Sequence, residues 1–249
     1  MALHVERTGS GSPLVLVHGF TQNAQCWGRF AAELGAHEVI CVDAPGHGRS
    51  GHADADLTES GRLIGEAAGR ATYLGYSMGG RMCLHLALER PDLVERLILI
   101  GSTAGIDDAD ERAARRTADE RLARRLDTEP LPDFLDDWLA LGLFAGIADA
   151  DQHRAERLAN DPAGLAASLR NSGTGTQEPL WERLGGLSMP VLLLAGAHDD
   201  KFAALAHRMA DSIGPNATVR IVDGAGHAVH LERPAETWAL VSTWLGALR

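Results

Sequence analysis

The sequence has little cysteine, no long apolar run and no excess of positive charge, and each shortage excludes a class of protein. The three cysteines, Cys26, Cys41 and Cys83, are odd in number and lack the spacing of metal ligands, which argues against a disulfide framework and a zinc site. No segment approaches the roughly 18 apolar residues of a membrane helix, and residues 1–6 lack the charged-then-apolar pattern of a signal peptide. We therefore expect a cytoplasmic protein with no metal and no membrane insertion.

The shortage of positive charge limits which molecules the protein can bind. The chain has 23 Lys and Arg against 34 Asp and Glu, and its formal net charge is -11. Such a field repels nucleic acid and anionic membranes, so a small anionic substrate would need a local cationic pocket. The 249 residues, 45% of them hydrophobic, are enough for one sizeable core. We expect a single domain that is a monomer or a weak homo-oligomer.

Short apolar runs rich in branched residues recur along the chain and predict buried β-strands. Most are separated by stretches of helical periodicity, which is typical of βαβ crossovers. The sequence therefore predicts an α/β fold, with a mostly parallel twisted sheet flanked by helices. Residues 3–7 could add an antiparallel edge strand. The predicted strands are 14–17, 39–42, 71–74, 97–100, 191–194 and 219–222.

One long interval lacks strand patterns and predicts an insertion. Residues 101–190 read as helices rich in Ala, Arg, Asp and Leu. Acidic residues at 107–111 suit a helix N-terminus, and Pro132 suits the first turn of a second helix. We expect an all-helical cap at about residues 105–180, inserted into the sheet domain.

A nucleophile-elbow motif follows the third predicted strand. Gly75-Tyr76-Ser77-Met78-Gly79-Gly80 lies between a predicted strand and a predicted helix, which is the context that a G-x-S-x-G elbow requires. The sharp turn strains the serine backbone, so small neighbours are needed for the strand and the helix to approach closely. Ser77 is the predicted nucleophile or base.

A serine needs a histidine to take its proton, and that histidine needs a carboxylate to fix its tautomer. Asp199 and His227 follow the last two predicted strands in the order that this fold uses, so we predict them as the partners of Ser77. The less favoured alternatives are Asp200 and His198, on either side of Asp199, and His230, three residues after His227.

Two backbone N–H groups are expected to bind a developing oxyanion, those of Phe20 and Met78. His18, two residues before Phe20, is predicted to form structural hydrogen bonds rather than to act as an acid or base. In the cap, Trp138 belongs either to the cap core or to an aromatic wall over the serine, and the sequence leaves both open.

Two cations accompany the motifs. Arg81 lies one helical turn after Ser77, and Lys201 directly follows the presumed acid loop.

These motifs resemble the α/β hydrolase superfamily and, within it, the MenH family of menaquinone-pathway lyases, the 2-succinyl-6-hydroxy-2,4-cyclohexadiene-1-carboxylate synthases. The resemblance spans nearly the whole chain. It rests on 18–20 with Trp27, the elbow with Arg81, the cap run 111–115, the run 199–202 and the closing run 226–234.

The resemblance implies a carbon–oxygen lyase that eliminates pyruvate from a substrate with three carboxylates, without a cofactor. It implies that Arg81, Arg115 and Lys201 pair with carboxylates. The substrate-binding set that it implies also contains Tyr76, Trp138 and a further cap arginine before Asn160. Two residues could supply that arginine, Arg157 and Arg154.

Other enzymes of this superfamily are the main alternatives. A carboxylesterase or a carbon–carbon bond hydrolase would use the same triad, although the latter usually has Trp where this chain has Ala228. Epoxide hydrolases and haloalkane dehalogenases have an aspartate at the position of Ser77. A catalytically dead binding protein on this fold conflicts with an intact triad.

Overall fold

The fold is built on one seven-stranded sheet. The computed structural model describes residues 2–51 and 54–247. The strand order is β1-β3-β2-β4-β5-β6-β7, with β1 antiparallel to β3 and the other pairings parallel. The strands are β1 Val5–Gly9, β2 Ser12–Val17, β3 His37–Val42, β4 Ala71–Tyr76, β5 Val94–Ile100, β6 Val191–Gly196 and β7 Ala217–Val222.

Helices lie on both faces of the sheet and in the interval between β5 and β6. They are α1 Gly28–Ala32, α2 Leu57–Ala68, α3 Met78–Glu89, α4 Ala109–Thr128, α5 Leu131–Leu139, α6 Arg154–Arg157, α7 Pro162–Ser172, α8 Asp200–Ile213, α9 Val229–Glu232 and α10 Pro234–Ala247. This arrangement confirms the predicted α/β fold and its mostly parallel sheet. The edge strand predicted at residues 3–7 is present as β1, shifted by two residues.

The core is divided by the sheet into two layers. Along β2, Val15 and Val17 join the cluster under α2, α3 and α8, while Leu14 and Leu16 join the cluster under α1, α9 and α10. Successive side chains of a strand point to opposite faces, so a strand covered on both faces must be apolar at every position. That requirement explains the unbroken apolar runs in the sequence.

The interval between β5 and β6 forms a helical insertion without a strand, and its helices α4, α5 and α7 share a small core. Its longest helix, α4, begins where the Asp108 side chain accepts hydrogen bonds from the N–H groups of Asp110 and Glu111, at 2.9 and 2.8 Å. Helix α7 begins at Pro162 after the capping residue Asp161. Leu126, Phe134 and Leu165, from α4, α5 and α7, are buried in one apolar cluster. The end of the interval packs differently, because Leu184 and Leu187 are buried in the core under the sheet.

Over residues 2–51 and 54–247, no helix combines the length and the apolar character needed to cross a lipid bilayer.

Candidate active site

Ser77 occupies the strained turn between β4 and α3. Its backbone has φ 50° and ψ -108°, a conformation that costs energy for a residue with a side chain. The turn needs glycine close by: a Cβ at Gly79 would lie 2.1 Å from the carbonyl oxygen of Val17, and a Cβ at Gly75 would lie 2.5 Å from Cα of Gly80. The predicted elbow is therefore formed, and its glycines are required by close backbone approach.

The structure brings Ser77, His227 and Asp199 into one hydrogen-bonded chain. Ser77 Oγ lies 3.2 Å from Nε2 of His227, and Nδ1 of His227 lies 2.8 Å from Oδ2 of Asp199. The other carboxylate oxygen of Asp199 accepts from the N–H of Phe202 at 3.2 Å. Because the carboxylate accepts the proton of Nδ1, Nε2 is free to accept a proton from the serine hydroxyl.

Opposing effects set the ionisation of Asp199. Burial favours its neutral form, but the hydrogen bond from His227, the Phe202 N–H and the nearby charge of Lys201 outweigh that effect. The pKa of Asp199 is therefore held below its usual range. The carboxylate stays charged at neutral pH and orients His227.

The alternative residues lie elsewhere. Asp200 and His198 are exposed. His230 is buried against the rings of Tyr76 and Trp27, with centroids 4.5 and 4.8 Å away, and burial lowers the pKa of His230 to about 3. Such a histidine stays neutral and supports the wall of the site.

The two predicted oxyanion donors lie beside Ser77. Phe20 and Met78 line the same cavity as Ser77 and His227. Within the described part of the chain, neither backbone N–H donates to another group, so both are available to a ligand. His18 has the structural role predicted for it: Nε2 accepts from the N–H of Ala44 at 3.0 Å and Nδ1–H donates to the carbonyl of Gly19 at 2.8 Å. Burial lowers the pKa of His18 to about 4.

A cavity of about 250 Å³ lies between the sheet edge and the helical insertion. Ser77, Arg81, Arg115 and Lys201 also line a second cavity of about 330 Å³ that adjoins it. The first cavity contains every residue predicted for substrate binding, namely Tyr76, Arg81, Arg115, Trp138, Arg157 and Lys201.

Arg81 and Arg115 reach the cavity from different elements. Arg81 is buried on α3 and donates from Nη1 to the carbonyl of Ser172 at 2.8 Å. Burial, together with the charge of Arg115, lowers the pKa of Arg81 to about 10, so it remains charged at neutral pH. Arg115, on α4, donates from Nε to Oδ1 of the buried Asp119 at 2.7 Å.

Arg157 and Arg154 are the two candidates for the further cap arginine, and Arg157 is the one that lines the cavity. Arg157 is 1% exposed, and it donates to the carbonyl of Gln152 at 2.8 Å and to the hydroxyl of Thr21. Burial lowers the pKa of this guanidinium. Arg154 instead pairs with Asp136 at 2.7 Å and does not line the cavity.

Lys201 and Trp138 complete the walls. Lys201, the single lysine of the chain, is exposed and lines both cavities. Trp138 packs edge-on against Phe20, with centroids 5.2 Å apart, and stacks on Phe134. Trp138 thus belongs both to the packing of the insertion and to the cavity wall, and the two alternatives open for it are compatible.

Sequence reasoning missed two residues that support this site. The buried Asp119 fixes Arg115 and also accepts from the N–H of Gly175 at 3.1 Å. Ser102 donates to the carbonyl of Ser77 at 3.1 Å. The i,i+4 spacing of Arg115 and Asp119 was a usable signal, whereas no local pattern pointed to Ser102.

In the described ranges, histidine, cysteine and carboxylate side chains form no cluster of three or more that could hold a metal ion.

Comparison with known proteins places the chain in a family. The model of the alpha/beta hydrolase family matches residues 14–240. The chain is 32% identical over 246 residues to 2-succinyl-6-hydroxy-2,4-cyclohexadiene-1-carboxylate synthase of Salmonella agona (strain SL483), covering 94% of this chain and 95% of the relative.

Two solved structures are similar over almost the whole chain. MenH from S. aureus has a TM-score of 0.89 and 30% identity, covering 98% of both chains. A thermophilic esterase from Thermogutta terrifontis, solved with malate bound, has a TM-score of 0.83 and 26% identity, covering 98% of this chain and 93% of the esterase. The protein thus belongs to the alpha/beta hydrolase family and, within it, to the family of the 2-succinyl-6-hydroxy-2,4-cyclohexadiene-1-carboxylate synthases.

Proposed function

We propose that this protein is a lyase of menaquinone biosynthesis that eliminates pyruvate from 2-succinyl-5-enolpyruvyl-6-hydroxy-3-cyclohexene-1-carboxylate. The observation that carries the proposal is the presence of four cationic side chains around one serine–histidine pair. Arg81, Arg115, Arg157 and Lys201 line the cavity that contains Ser77 and His227, in a protein whose net charge is -11. A substrate with three carboxylates accounts for that local concentration of positive charge.

The reaction begins with proton removal from the ring carbon next to the succinyl ketone. His227, 3.2 Å from Ser77 Oγ, accepts the serine proton as the serine oxygen takes the ring proton. Asp199 stabilises the imidazolium that forms. Because a lone serine hydroxyl is a weak base, all three residues are required.

The resulting enolate oxygen would be bound by the backbone N–H groups of Phe20 and Met78, which have no other acceptor among the residues described. The electrons then move through the ring alkene and expel enolpyruvate from the far carbon, which leaves a conjugated diene. Proton return from His227 gives pyruvate. Atoms balance within the substrate, so no water is consumed.

The cations divide the binding work according to their exposure. Arg157 is almost fully buried and already holds two protein oxygens, so it shapes the wall and contributes positive potential. Arg115 and Lys201 are more exposed and are the groups that can pair directly with carboxylates. We propose that the helical insertion, about residues 105–180, is the cap that brings Arg115 and Trp138 to the substrate.

A carboxylesterase is the second candidate, because an esterase is among the similar solved structures and a serine–histidine pair also forms acyl-enzymes. The test measures pyruvate release from the enolpyruvyl substrate and turnover of short p-nitrophenyl esters in parallel. We expect pyruvate release to exceed ester turnover greatly in kcat/KM. Absence of pyruvate release, with efficient ester turnover, would replace the lyase by the esterase.

A further inference from the structure

A single carboxylate holds the loop that carries His227. Oε2 of Glu232 accepts a hydrogen bond from the N–H of Gly226 at 2.7 Å, and Oε1 accepts from the N–H of Ala228 at 2.9 Å. These two N–H groups belong to the residues directly before and after His227. Hydrogen bonds to an ionised acceptor are shorter and stronger than neutral ones, so the peptide groups on both sides of the imidazole are fixed by one side chain.

The helical insertion leaves room for this carboxylate through a glycine. A Cβ at Gly146 would lie 2.0 Å from Oε2 and 2.7 Å from Cδ of Glu232. Gly146 does not adopt a positive φ, so its backbone does not itself demand glycine. The space taken by Glu232 is therefore the reason for glycine at this position. The same carboxylate thereby contacts both the His227 loop and the insertion.

We propose that Glu232 is a positioning residue that aligns His227 between Ser77 and Asp199, and that Gly146 reserves the space in which it does so. The proposal rests on the proposed function only in taking Ser77 and His227 as the reacting pair. Displacement of a reacting group by about 1 Å can cost on the order of a hundredfold in rate, so the geometry of this loop matters for turnover.

Two variants disturb the contact from opposite sides, and each has a matched control. Glu232→Gln keeps the size but offers one acceptor and one N–H₂ group to two N–H donors. Gly146→Ala pushes the carboxylate away. The exposed Glu236, on α10, gives the control Glu236→Gln. Gly142→Ala is the control in the insertion, because an added Cβ there would meet no described atom within 4 Å.

For Glu232→Gln and Gly146→Ala we expect kcat for pyruvate release to fall by about 10- to 100-fold. The rate at which a fluorophosphonate labels Ser77 should fall in parallel, while KM stays within about twofold because the binding cations are untouched. The double variant should fall no further than the worse single variant, since both changes break one contact. Both controls should match the wild type.

A spectroscopic readout separates positioning from simple stabilisation. The proton shared by Nδ1 of His227 and Asp199 should give a downfield ¹H NMR resonance in the wild type, and that resonance should shift or broaden in both variants. Unchanged labelling rates and an unchanged resonance in both variants would overturn the proposal. So would a lower Tm with normal labelling of the folded protein. If the wild type labels but releases no pyruvate, the lyase function fails, and labelling and NMR still decide the role of Glu232.

Discussion

At the scale of single residues, the site depends on a strained backbone and on a fixed tautomer. Ser77 has a positive φ, which projects its hydroxyl from the turn, and His227 is held by a carboxylate that stays ionised. Under the proposed function, each of these conditions acts on one proton transfer. Single substitutions here should therefore change the chemistry while leaving the fold intact.

Replacement of either member of the reacting pair should abolish most of the activity. In Ser77→Ala or His227→Ala we expect kcat for pyruvate release to fall by at least about 10³-fold, roughly 4 kcal/mol of transition-state stabilisation. The measurement is single-turnover pyruvate release by variants shown to be folded by circular dichroism. Activity within about tenfold of wild type in either variant would contradict the assignment.

Two adjacent carboxylates provide an internal comparison. Asp199→Asn should reduce kcat by about 10²- to 10⁴-fold, because an amide cannot fix the required tautomer or stabilise the imidazolium. Asp200→Asn should be mild, because that side chain is exposed and Nδ1 of His227 is bonded to Asp199 instead. Steady-state kinetics of both variants test the ranking, and the reverse order would transfer the orienting role to Asp200.

At the scale of elements, α4 brings a charge to the cavity. Arg115 points from this helix into the site and is braced by the buried Asp119 one turn later. Arg124, on the same helix, is 75% exposed in its side chain and pairs with Glu120. One helix thus carries an arginine that lines the cavity and an arginine on the surface.

These two arginines should respond differently to substitution. Arg115→Ala should weaken binding of the tricarboxylate substrate by about 1.5–3 kcal/mol, the cost of a lost charge-assisted hydrogen bond. The loss should be observed as a higher KM for that substrate, with little effect on a neutral ester. Arg124→Ala should leave both substrates unchanged. Arg81→Ala and Lys201→Ala belong in the same kinetic series. If Arg81→Ala, Arg115→Ala and Lys201→Ala all handled the anionic substrate like wild type, the lyase assignment would be lost.

At the scale of the whole molecule, buried histidines couple stability to pH. His18, His47 and His230 are each 1% exposed, and burial lowers their pKa values to about 4, 3 and 3. Below pH 6.5 the unfolded chain protonates these groups and the folded protein does not. The free energy of unfolding must therefore fall as the pH falls from about 6.5 towards 4, by up to about 1.4 kcal/mol per pH unit for each histidine.

Replacement of His230 should remove the contribution of one histidine to this pH dependence of stability. In His230→Phe, the slope of unfolding free energy against pH between pH 6 and 4.5 should become less steep by about one proton. The ring packs among aromatic side chains, and its Nδ1 has no hydrogen-bond partner among the residues that the structure describes. An apolar phenylalanine ring is therefore compatible with this environment. Urea unfolding at several pH values measures the slope. His207→Gln, at an exposed position, should leave it unchanged, and an unaltered slope in His230→Phe would contradict the argument.

Much of this molecule could be predicted from local patterns. Branched apolar runs predicted the strands because a strand buried on both faces has no polar position. The elbow could be read because its glycines answer a steric demand within six consecutive residues. Asp199 and His227 were predicted from their places after β6 and β7, since the carboxyl ends of parallel strands meet at one edge of the sheet.

Only the tertiary structure decided which charges enter the cavity and what supports the candidate catalytic groups. Arg154 and Arg157 lie on a four-residue helix that is too short to show a periodic face, and burial of Arg157 depends on Thr21, 136 positions away in the chain. The close approach of Gly146 to the Glu232 carboxylate likewise joins two residues that are far apart in the chain. The sequence determines such contacts only through the complete fold, because the groups that meet are joined by packing rather than by spacing along a strand or helix.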